Sequence, residues 1–327
     1  MAKARGVTVF TALLAAAILA CGDEAADGEV GGGGSSSCPA QEACEAPSPP
    51  FVGDIGIRPL SWAAPRVYFY PNFLSPSECT HLIDYARTHP KFKDGAADSS
   101  VYFGWHDHYK DKILASIETR IGVVTGIPPH GDEEPINVHH VPVKGSIPDD
   151  PRHLNIHHDK VQKEYSAATV LVYLTNSTVG GGTIWPCSAK LADGSTVRQE
   201  CKEGFEANVR WFDGEKSTIK GVPKRVSVET EVHEEMSAVR QLAIDGCAAT
   251  TEEMGAWRNT PARTSGGDSG VTAGSAVVFF HNHPDGSPDP FAWHAGCPAL
   301  SEDKWTMQKF KELPMAFRKK EDQPRRR

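Results

Sequence analysis

Six short segments that follow Pro135 constrain the fold of this chain most. Each is rich in β-branched or aromatic residues and is bounded by glycine, proline or aspartate, a pattern typical of β-strands. Their sequences, in chain order, are INVHHVPV, LNIHHD, AATVLVYLT, GTIWP, SAVVFFHNH and FAWHAGC. Many short strands separated by turns predict an antiparallel barrel or jelly roll.

Two amphipathic helices are predicted ahead of these strands. In LSPSECTHLIDYAR, Ser75 can cap a helix that begins at Pro76, and Glu78 completes a capping box. In KDKILASIETRI, four aliphatic residues fall on one helical face. They are Ile113, Leu114, Ile117 and Ile121. Helices followed by a run of strands predict an α+β fold.

The N-terminal segment has the pattern of a targeting sequence. Lys3 and Arg5 precede an apolar run from Val7 to Ala20. This pattern predicts a secretory signal peptide over residues 1–20. Residues 21–50 contain GGGGSSS and a proline-rich stretch, which predicts a flexible linker. We therefore expect the protein in the secretory pathway, either in the lumen of the endoplasmic reticulum or secreted.

A bacterial envelope is the alternative location. The sequence ILAC resembles the lipobox of bacterial lipoproteins, with Cys21 as the residue that would carry the lipid. Contact with a membrane is expected only if Cys21 is lipidated or if the signal remains uncleaved. The chain contains eight cysteines, a number that fits export to an oxidising compartment, although their pairing cannot be deduced from the sequence.

The remainder of the chain is predicted to form one folded domain over residues 51–315. Within it, residues 187–270 are polar and charged, contain one helical candidate at Glu231–Ile244, and are predicted to be an insertion. Residues 316–327 form a basic tail. The net charge of −8 argues against a nucleic-acid-binding protein, which normally presents a positive field.

The segment LNIHHD carries the clearest chemical signal. Alternation along a strand places His157 and Asp159 on one face and His158 on the other. An imidazole and a carboxylate together suit a divalent iron or zinc ion, and a facial triad needs one more histidine. The candidates for that third position are His281 and His283 in HNHPD and His294 in WHAGCP.

Several of these elements occur together in a known family. From Tyr70 to Glu312 the chain resembles the prolyl 4-hydroxylase branch of the iron(II)/2-oxoglutarate-dependent dioxygenases, in the order and spacing of its motifs. The motifs are PNFLSPSECTHLIDYAR, IETRIGVVTGIP, HHD, VLVYLTNSTVGGGTIWP and AGSAVVFFHNHPDGSPDPFAWHAGCPALSEDKW. The resemblance implies a double-stranded β-helix core and an activity similar to that of procollagen-proline 4-dioxygenase.

The resemblance also implies roles for individual residues. His157, Asp159 and His294 would be catalytic residues that bind the iron. Lys304 would be a further catalytic residue that binds the distal carboxylate of 2-oxoglutarate. Thr183, in the GGT element, would assist Lys304. The implied cofactors are iron(II), the cosubstrate 2-oxoglutarate, dioxygen and L-ascorbate.

The implied reaction hydroxylates prolyl residues in a peptide or protein while 2-oxoglutarate is decarboxylated to succinate. Two departures from the family keep alternatives open. No tyrosine precedes HHD in INVHHVPVKGSIPDDPRHLNIHHD, where the family commonly has one that touches 2-oxoglutarate, and the 187–270 insertion is long. The alternatives are a dioxygenase for lysyl residues or a small molecule, and a catalytically silent binding module on the same fold.

Overall fold

The computed structural model describes the chain between residues 56 and 314, with internal gaps. The described ranges are 56–62, 64–93, 99–103, 107, 110–144, 146–150, 153–162, 166–177, 179–188, 196–214, 236–248 and 272–314. The predicted signal peptide, linker and basic tail lie outside these ranges. None of the helices within them combines the length and apolarity that a membrane crossing requires.

Nine strands and five α-helices make up the described ranges. The strands are β1 (Arg58–Ser61), β2 (Val67–Tyr70), β3 (Ser99–Tyr102), β4 (Asn137–Val141), β5 (Ser166–Tyr173), β6 (Thr183–Ile184), β7 (Ala276–Phe280), β8 (Ala295–Gly296) and β9 (Lys304–Glu312). The helices are α1 (Pro76–Thr88), α2 (Lys112–Thr125), α3 (Asp159–Gln162), α4 (Arg198–Gly214) and α5 (Ser237–Ala248).

Seven of the strands form one antiparallel sheet in the order β1-β2-β7-β5-β9-β4-β3. Side chains alternate across it, so each strand contributes to two different environments. One face of β5, β7 and β9 is apolar and packs against α1 and α2. The apolar cluster on this face includes Val170, Val172, Val278, Trp305 and Met307 from the sheet and Leu82, Leu114, Ile117 and Ile121 from the helices.

The first helix begins as its sequence predicts. The Ser75 hydroxyl accepts a hydrogen bond from the Glu78 N–H at 3.2 Å, and the Glu78 carboxylate accepts one from the Ser75 N–H at 2.8 Å. Glu78 also pairs with Arg120 of α2 at 2.9 Å, which ties the two helices together. Burial would raise the pKa of Glu78, but Arg120 and the Ser75 N–H outweigh it and lower that pKa.

A second, smaller sheet lies across the other face of the first. It pairs β6 with β8 and is extended by isolated bridges between His157 and His294 and between Gly180 and Ala299. Mixed helices and two antiparallel sheets of this kind confirm the predicted α+β fold with a double-stranded β-helix core. The segments LNIHHD and FAWHAGC were expected to be short strands. LNIHHD contributes only the bridge at His157, whereas FAWHAGC contributes the bridge at His294 and the two-residue β8.

The described parts of the predicted insertion are two helices tied to the second sheet. Cys187, just after β6, forms a disulfide with Cys201 of α4, and Cys247 of α5 forms one with Cys297, just after β8. The helix expected at Glu231–Ile244 overlaps α5 (Ser237–Ala248), and its residues 231–235 lie outside the described ranges. Helix α4 was not anticipated. Both helices pack on an apolar cluster that includes Trp293 and Phe205.

Candidate active site

A cavity of about 420 Å³ lies between the two sheets. Its floor is the face of the large sheet that does not pack against α1 and α2. The lining residues are His139, Val141, Lys144, Pro148, His153, Leu154, Asn155, His157, Asp159, Leu171, Thr183, Phe279, His294, Gly296, Cys297, Pro298, Lys304, Thr306, Gln308 and Phe310. All five residues predicted to be functional therefore lie on one cavity.

The small sheet brings two of the histidines together. His157 and His294 exchange both backbone hydrogen bonds, each at 3.0 Å. The Nδ1 atom of His157 lies 3.1 Å from the Asn155 carbonyl oxygen, and that of His294 lies 3.0 Å from the Ala292 carbonyl oxygen. A carbonyl can only accept, so each Nδ1 carries a hydrogen, and Nε2 is the ring nitrogen that remains for a metal.

Asp159 is the first residue of α3 and faces both Nε2 atoms. Its Oδ1 lies 3.5 Å from His157 Nε2, and its Oδ2 lies 3.6 Å from His294 Nε2. The strand alternation that predicted this pairing is absent here, because the chain turns into a helix at Asp159. The turn nevertheless leaves His157 and Asp159 adjacent and sends His158 the other way, toward the Asp289 carbonyl oxygen at 2.8 Å.

The charge states of this group suit a divalent metal. Burial lowers the pKa of His294 to about 3, so its imidazole is neutral at pH 7. Burial by itself would raise the pKa of Asp159, but the imidazoles of His294, His157 and His281 outweigh it and hold that pKa well below its usual range. One ligand atom from each of His157, Asp159 and His294 lies within 4.8 Å of the others. Two imidazoles and one carboxylate form the donor set of a non-haem iron site.

A second polar group lies on the same cavity. The Tyr173 hydroxyl, on β5, lies 2.7 Å from the Thr183 hydroxyl, on β6, so the large and small sheets meet there. The Lys304 ammonium lies 5.7 Å from the centroid of the Tyr173 ring. Burial lowers the pKa of Lys304 to about 8. Among the described residues no carboxylate lies within ion-pair distance of Lys304, so its charge is available for an anion.

Gly296 lies next to the lysine. A Cβ atom at this position would lie 3.5 Å from Lys304 Nζ, and Val141 is the register partner of Lys304 across β4 and β9. Val141 therefore stands beside the lysine at the end of β4. This upstream strand has no tyrosine, as noted from the sequence, and Tyr173 lies near Lys304 on β5, the opposite neighbour of β9.

The two rival histidines take other positions. His283 lies 4.0 Å from the Asp289 carboxylate. His281 is fully buried and lies behind Asp159, 3.3 Å from Oδ2, without lining the cavity. Of the three histidines proposed for the third position, only His294 shares the cavity with His157 and Asp159.

Two residues of this site were missed in the sequence. Thr169 donates a hydrogen bond of 2.6 Å to Asp159 Oδ2, and Tyr173 contacts Thr183. Both lie on β5, where Thr169, Leu171 and Tyr173 point to the cavity side and alternate with buried valines. The alternation in TVLVY was a signal that could have found them.

No family model matches the chain. Among characterised sequences, it is 26% identical over 278 residues to probable prolyl 4-hydroxylase 4 of Arabidopsis thaliana, covering 80% of this chain and 71% of that protein. It is 25% identical over 264 residues to prolyl 4-hydroxylase 2 of the same plant, covering 75% of this chain and 67% of that protein.

Solved structures give weaker likenesses. The viral collagen prolyl hydroxylase of Paramecium bursaria Chlorella virus-1, solved with 2-oxoglutarate, matches 75% of this chain and 93% of that chain, with a TM-score of 0.39 and 13% identity. A Pseudomonas putida prolyl-4-hydroxylase matches 76% of this chain and 92% of that chain, with a TM-score of 0.35 and 12% identity. The family resemblance thus rests on the sequence relatives. The similarity of this chain to the prolyl 4-hydroxylases, predicted from its motifs, is confirmed over 80% of its length.

Proposed function

We propose that this chain is an iron(II)/2-oxoglutarate-dependent dioxygenase that hydroxylates prolyl residues in peptides or proteins. The observation that carries the proposal is the pairing of two groups on one cavity. His157, a neutral His294 and an anionic Asp159 form a metal-binding set, and Lys304, which has no carboxylate partner among the described residues, lies beside Thr183 and Tyr173. The sequence relatives support the same reading.

Each side chain has a defined task in this proposal. His157, Asp159 and His294 hold the metal through two Nε2 atoms and a carboxylate oxygen. The Lys304 ammonium neutralises the distal carboxylate of 2-oxoglutarate, and the Thr183–Tyr173 hydroxyl pair donates a hydrogen bond to it. When bound, iron(II) with 2-oxoglutarate and dioxygen supplies the oxidative decarboxylation that yields succinate and carbon dioxide and adds one oxygen atom to the substrate.

Apolar side chains form part of the cavity wall beside these groups. Leu171, Phe279 and Phe310 contribute apolar surface to the floor. Such walls strengthen the attraction between Lys304 and a carboxylate, because the effective dielectric constant is low there.

The polarity of the cavity favours a prolyl over a lysyl substrate. The mouth carries Lys144, His139 and His153, and Asp159 is the one acidic residue among the described residues that line the cavity. Among the described residues of the lining, a lysyl ammonium would find no carboxylate apart from the proposed metal ligand. A neutral pyrrolidine ring avoids this cost, and proline-rich segments already hold the extended polyproline II conformation that grooves select.

The proposal includes the setting of the enzyme. We assign the catalytic domain to residues 51–315 and L-ascorbate as the reductant, as the family resemblance implies. The Cys187–Cys201 and Cys247–Cys297 disulfides support an oxidising compartment, in agreement with the secretory signal expected over residues 1–20.

Succinate formation by the full chain tests the proposal. The assay contains iron(II), 2-oxoglutarate, ascorbate and oxygen, with and without a proline-rich peptide. We expect peptide-stimulated succinate that is lost in Asp159→Ala and His294→Ala and kept in Asp84→Ala, whose carboxylate is exposed on α1. Succinate that no peptide stimulates would reject the peptide substrate, and a folded protein that produces none would indicate the silent binding module.

A further inference from the structure

His281 lies in a buried polar chain that ends on Asp159. Its Nδ1 is 2.9 Å from the Ser166 hydroxyl, and its Nε2 is 3.1 Å from the Thr169 hydroxyl and 3.3 Å from Asp159 Oδ2. Thr169 in turn donates to the same Oδ2 at 2.6 Å. All four side chains are essentially excluded from solvent.

The hydrogen bonds of this buried series of side chains all have the same donor-to-acceptor direction. The single hydroxyl hydrogen of Thr169 goes to Asp159, so Thr169 can only accept from His281. The Nε2 atom of His281 therefore carries a hydrogen. In a neutral ring Nδ1 is then an acceptor, and the Ser166 hydroxyl donates to it. Each donor points toward the carboxylate.

Backbone hydrogen bonds hold these hydrogen-bonded side chains in place. Ser166 and Thr169 lie on β5, and His281 follows directly after β7, the neighbouring strand. The His281 N–H donates to the Ala167 carbonyl at 2.9 Å, and the His281 carbonyl accepts from the Asp289 N–H at 2.8 Å. With its backbone bonded on both sides, the His281 ring has a fixed position relative to Asp159.

We propose that Ser166, His281 and Thr169 form a positioning relay that holds Asp159 Oδ2 and presents Oδ1 to the metal. The relay rests on the proposed function, since it acts on a residue of the proposed iron site. The Thr169 hydroxyl donates to Oδ2, and the His281 Nε2–H, which also faces the Thr169 oxygen, lies 3.3 Å from the same atom. Together they stabilise the buried anion and stop the carboxylate from rotating. The oxygen that remains turned toward His157 is Oδ1, at 3.5 Å from its Nε2. His281 is thus a positioning residue rather than a fourth ligand.

Metal affinity of the full chain tests the relay without any turnover. Mn(II) is titrated into the metal-free protein, and free Mn(II) is followed by electron paramagnetic resonance. Loss of a hydrogen-bonding partner behind a metal ligand typically costs about 10- to 100-fold in metal affinity. We expect a loss in this range for Thr169→Val, which removes the hydroxyl but keeps the shape. Thr125→Val is the matched control, since Thr125 is buried in α2 and donates to the Ile121 carbonyl.

Two amide variants separate positioning from packing at His281. The amide of His281→Gln reaches the place of Nε2 and can still donate to Asp159, whereas the amide of His281→Asn reaches only the place of Nδ1. We expect His281→Asn to bind Mn(II) about 10- to 100-fold more weakly and His281→Gln to recover most of the affinity. A role in packing alone would lower the melting temperature of both variants and leave both affinities unchanged.

The outcomes distinguish failure of the relay from failure of the proposed metal site. Wild-type protein that fails to bind Mn(II), or binds it as well after Asp159→Ala, would reject the proposed metal site. Wild-type protein that binds Mn(II) through Asp159, with Thr169→Val and a folded His281→Asn binding equally well, would reject the relay alone. If His281→Asn does not fold, Thr169→Val against Thr125→Val decides.

Discussion

Strand β9 carries two buried lysines and a half-buried one, and they differ in what faces them. Lys309 and Lys311 point to the helix-packed side of the sheet, where Lys309 pairs with Glu118 at 2.8 Å and Lys311 pairs with Glu133 at 2.6 Å. Lys304 points to the cavity and has no carboxylate partner among the described residues. Burying a charge is costly unless a partner compensates it. The paired lysines therefore serve the fold, and the unpaired one is available for a ligand.

The largest expected effect comes from breaking a lysine–glutamate pair on the helix side. Glu133→Gln leaves the Lys311 ammonium buried without its carboxylate. Breaking a buried ion pair in this way typically costs about 3–5 kcal/mol of the free energy of unfolding. Urea denaturation measures the loss. Lys304→Met should lower stability by far less, since it removes a charge that has no carboxylate partner in the described part of the chain. Equal losses in the two variants would contradict the comparison.

Binding of 2-oxoglutarate should depend on Lys304, although the stability of the fold depends on it little. Lys304→Met removes the proposed partner of the 2-oxoglutarate distal carboxylate, and loss of one member of a buried charge pair costs about 2–5 kcal/mol in binding. We therefore expect the Kd for 2-oxoglutarate to rise by roughly 30-fold to several thousand-fold. Calorimetry on the Mn(II)-loaded protein without oxygen measures it. Lys144→Met, at the exposed mouth of the cavity, serves as the control and should change the Kd little.

The pH dependence of the Kd for 2-oxoglutarate tests whether the charged form of Lys304 binds the cosubstrate. Burial lowers the pKa of the free lysine to about 8, and a bound carboxylate would raise it again. Below this pH the ammonium is already charged and the Kd should stay constant. Above it, each pH unit should weaken binding about tenfold, because a proton must first be taken up. The profile of Lys304→Met should lack this break, and a break in both profiles would assign it to another group.

The smallest expected effect concerns the hydroxyl pair beside Lys304. Tyr173→Phe removes the phenol oxygen that lies 2.7 Å from Thr183 but keeps the ring under the lysine. A single hydrogen bond of this kind contributes about 0.5–1.5 kcal/mol, so the Kd for 2-oxoglutarate should rise roughly 2- to 12-fold. Tyr85→Phe, on α1 and away from the cavity, is the matched control. An unchanged Kd in Tyr173→Phe would remove Tyr173 from the cosubstrate site.

The local parts of the fold were predictable because their causes are local. The capping box of Ser75 and Glu78 and the apolar face of α2 can be read from residues three or four positions apart. Helix α4 was missed because its segment is polar and sits in a charged stretch. The pairs Cys187–Cys201 and Cys247–Cys297 could not be deduced, since cysteine spacing does not determine connectivity.

The site was predictable only in part from the residues themselves. His157 and Asp159 are two positions apart in the sequence. Their side chains lie close together in the structure, although a helix rather than a strand begins at Asp159. The choice of His294 over His281 and His283 needed the family resemblance, because sequence spacing says nothing about which distant segment pairs with His157. The pairing of β7 with β5 places the His281 side chain behind Asp159. The segment HNHPD contains no pattern that predicts this position.

The product of the reaction with a proline-rich peptide tests the central claim most directly. Mass spectrometry of the peptide is combined with succinate quantification in the same sample, for wild type and Asp159→Ala. We expect one oxygen atom added to prolyl residues, one succinate for each, and neither product in the variant. Succinate without any change in the peptide, or an oxidised peptide that persists in Asp159→Ala, would contradict the account.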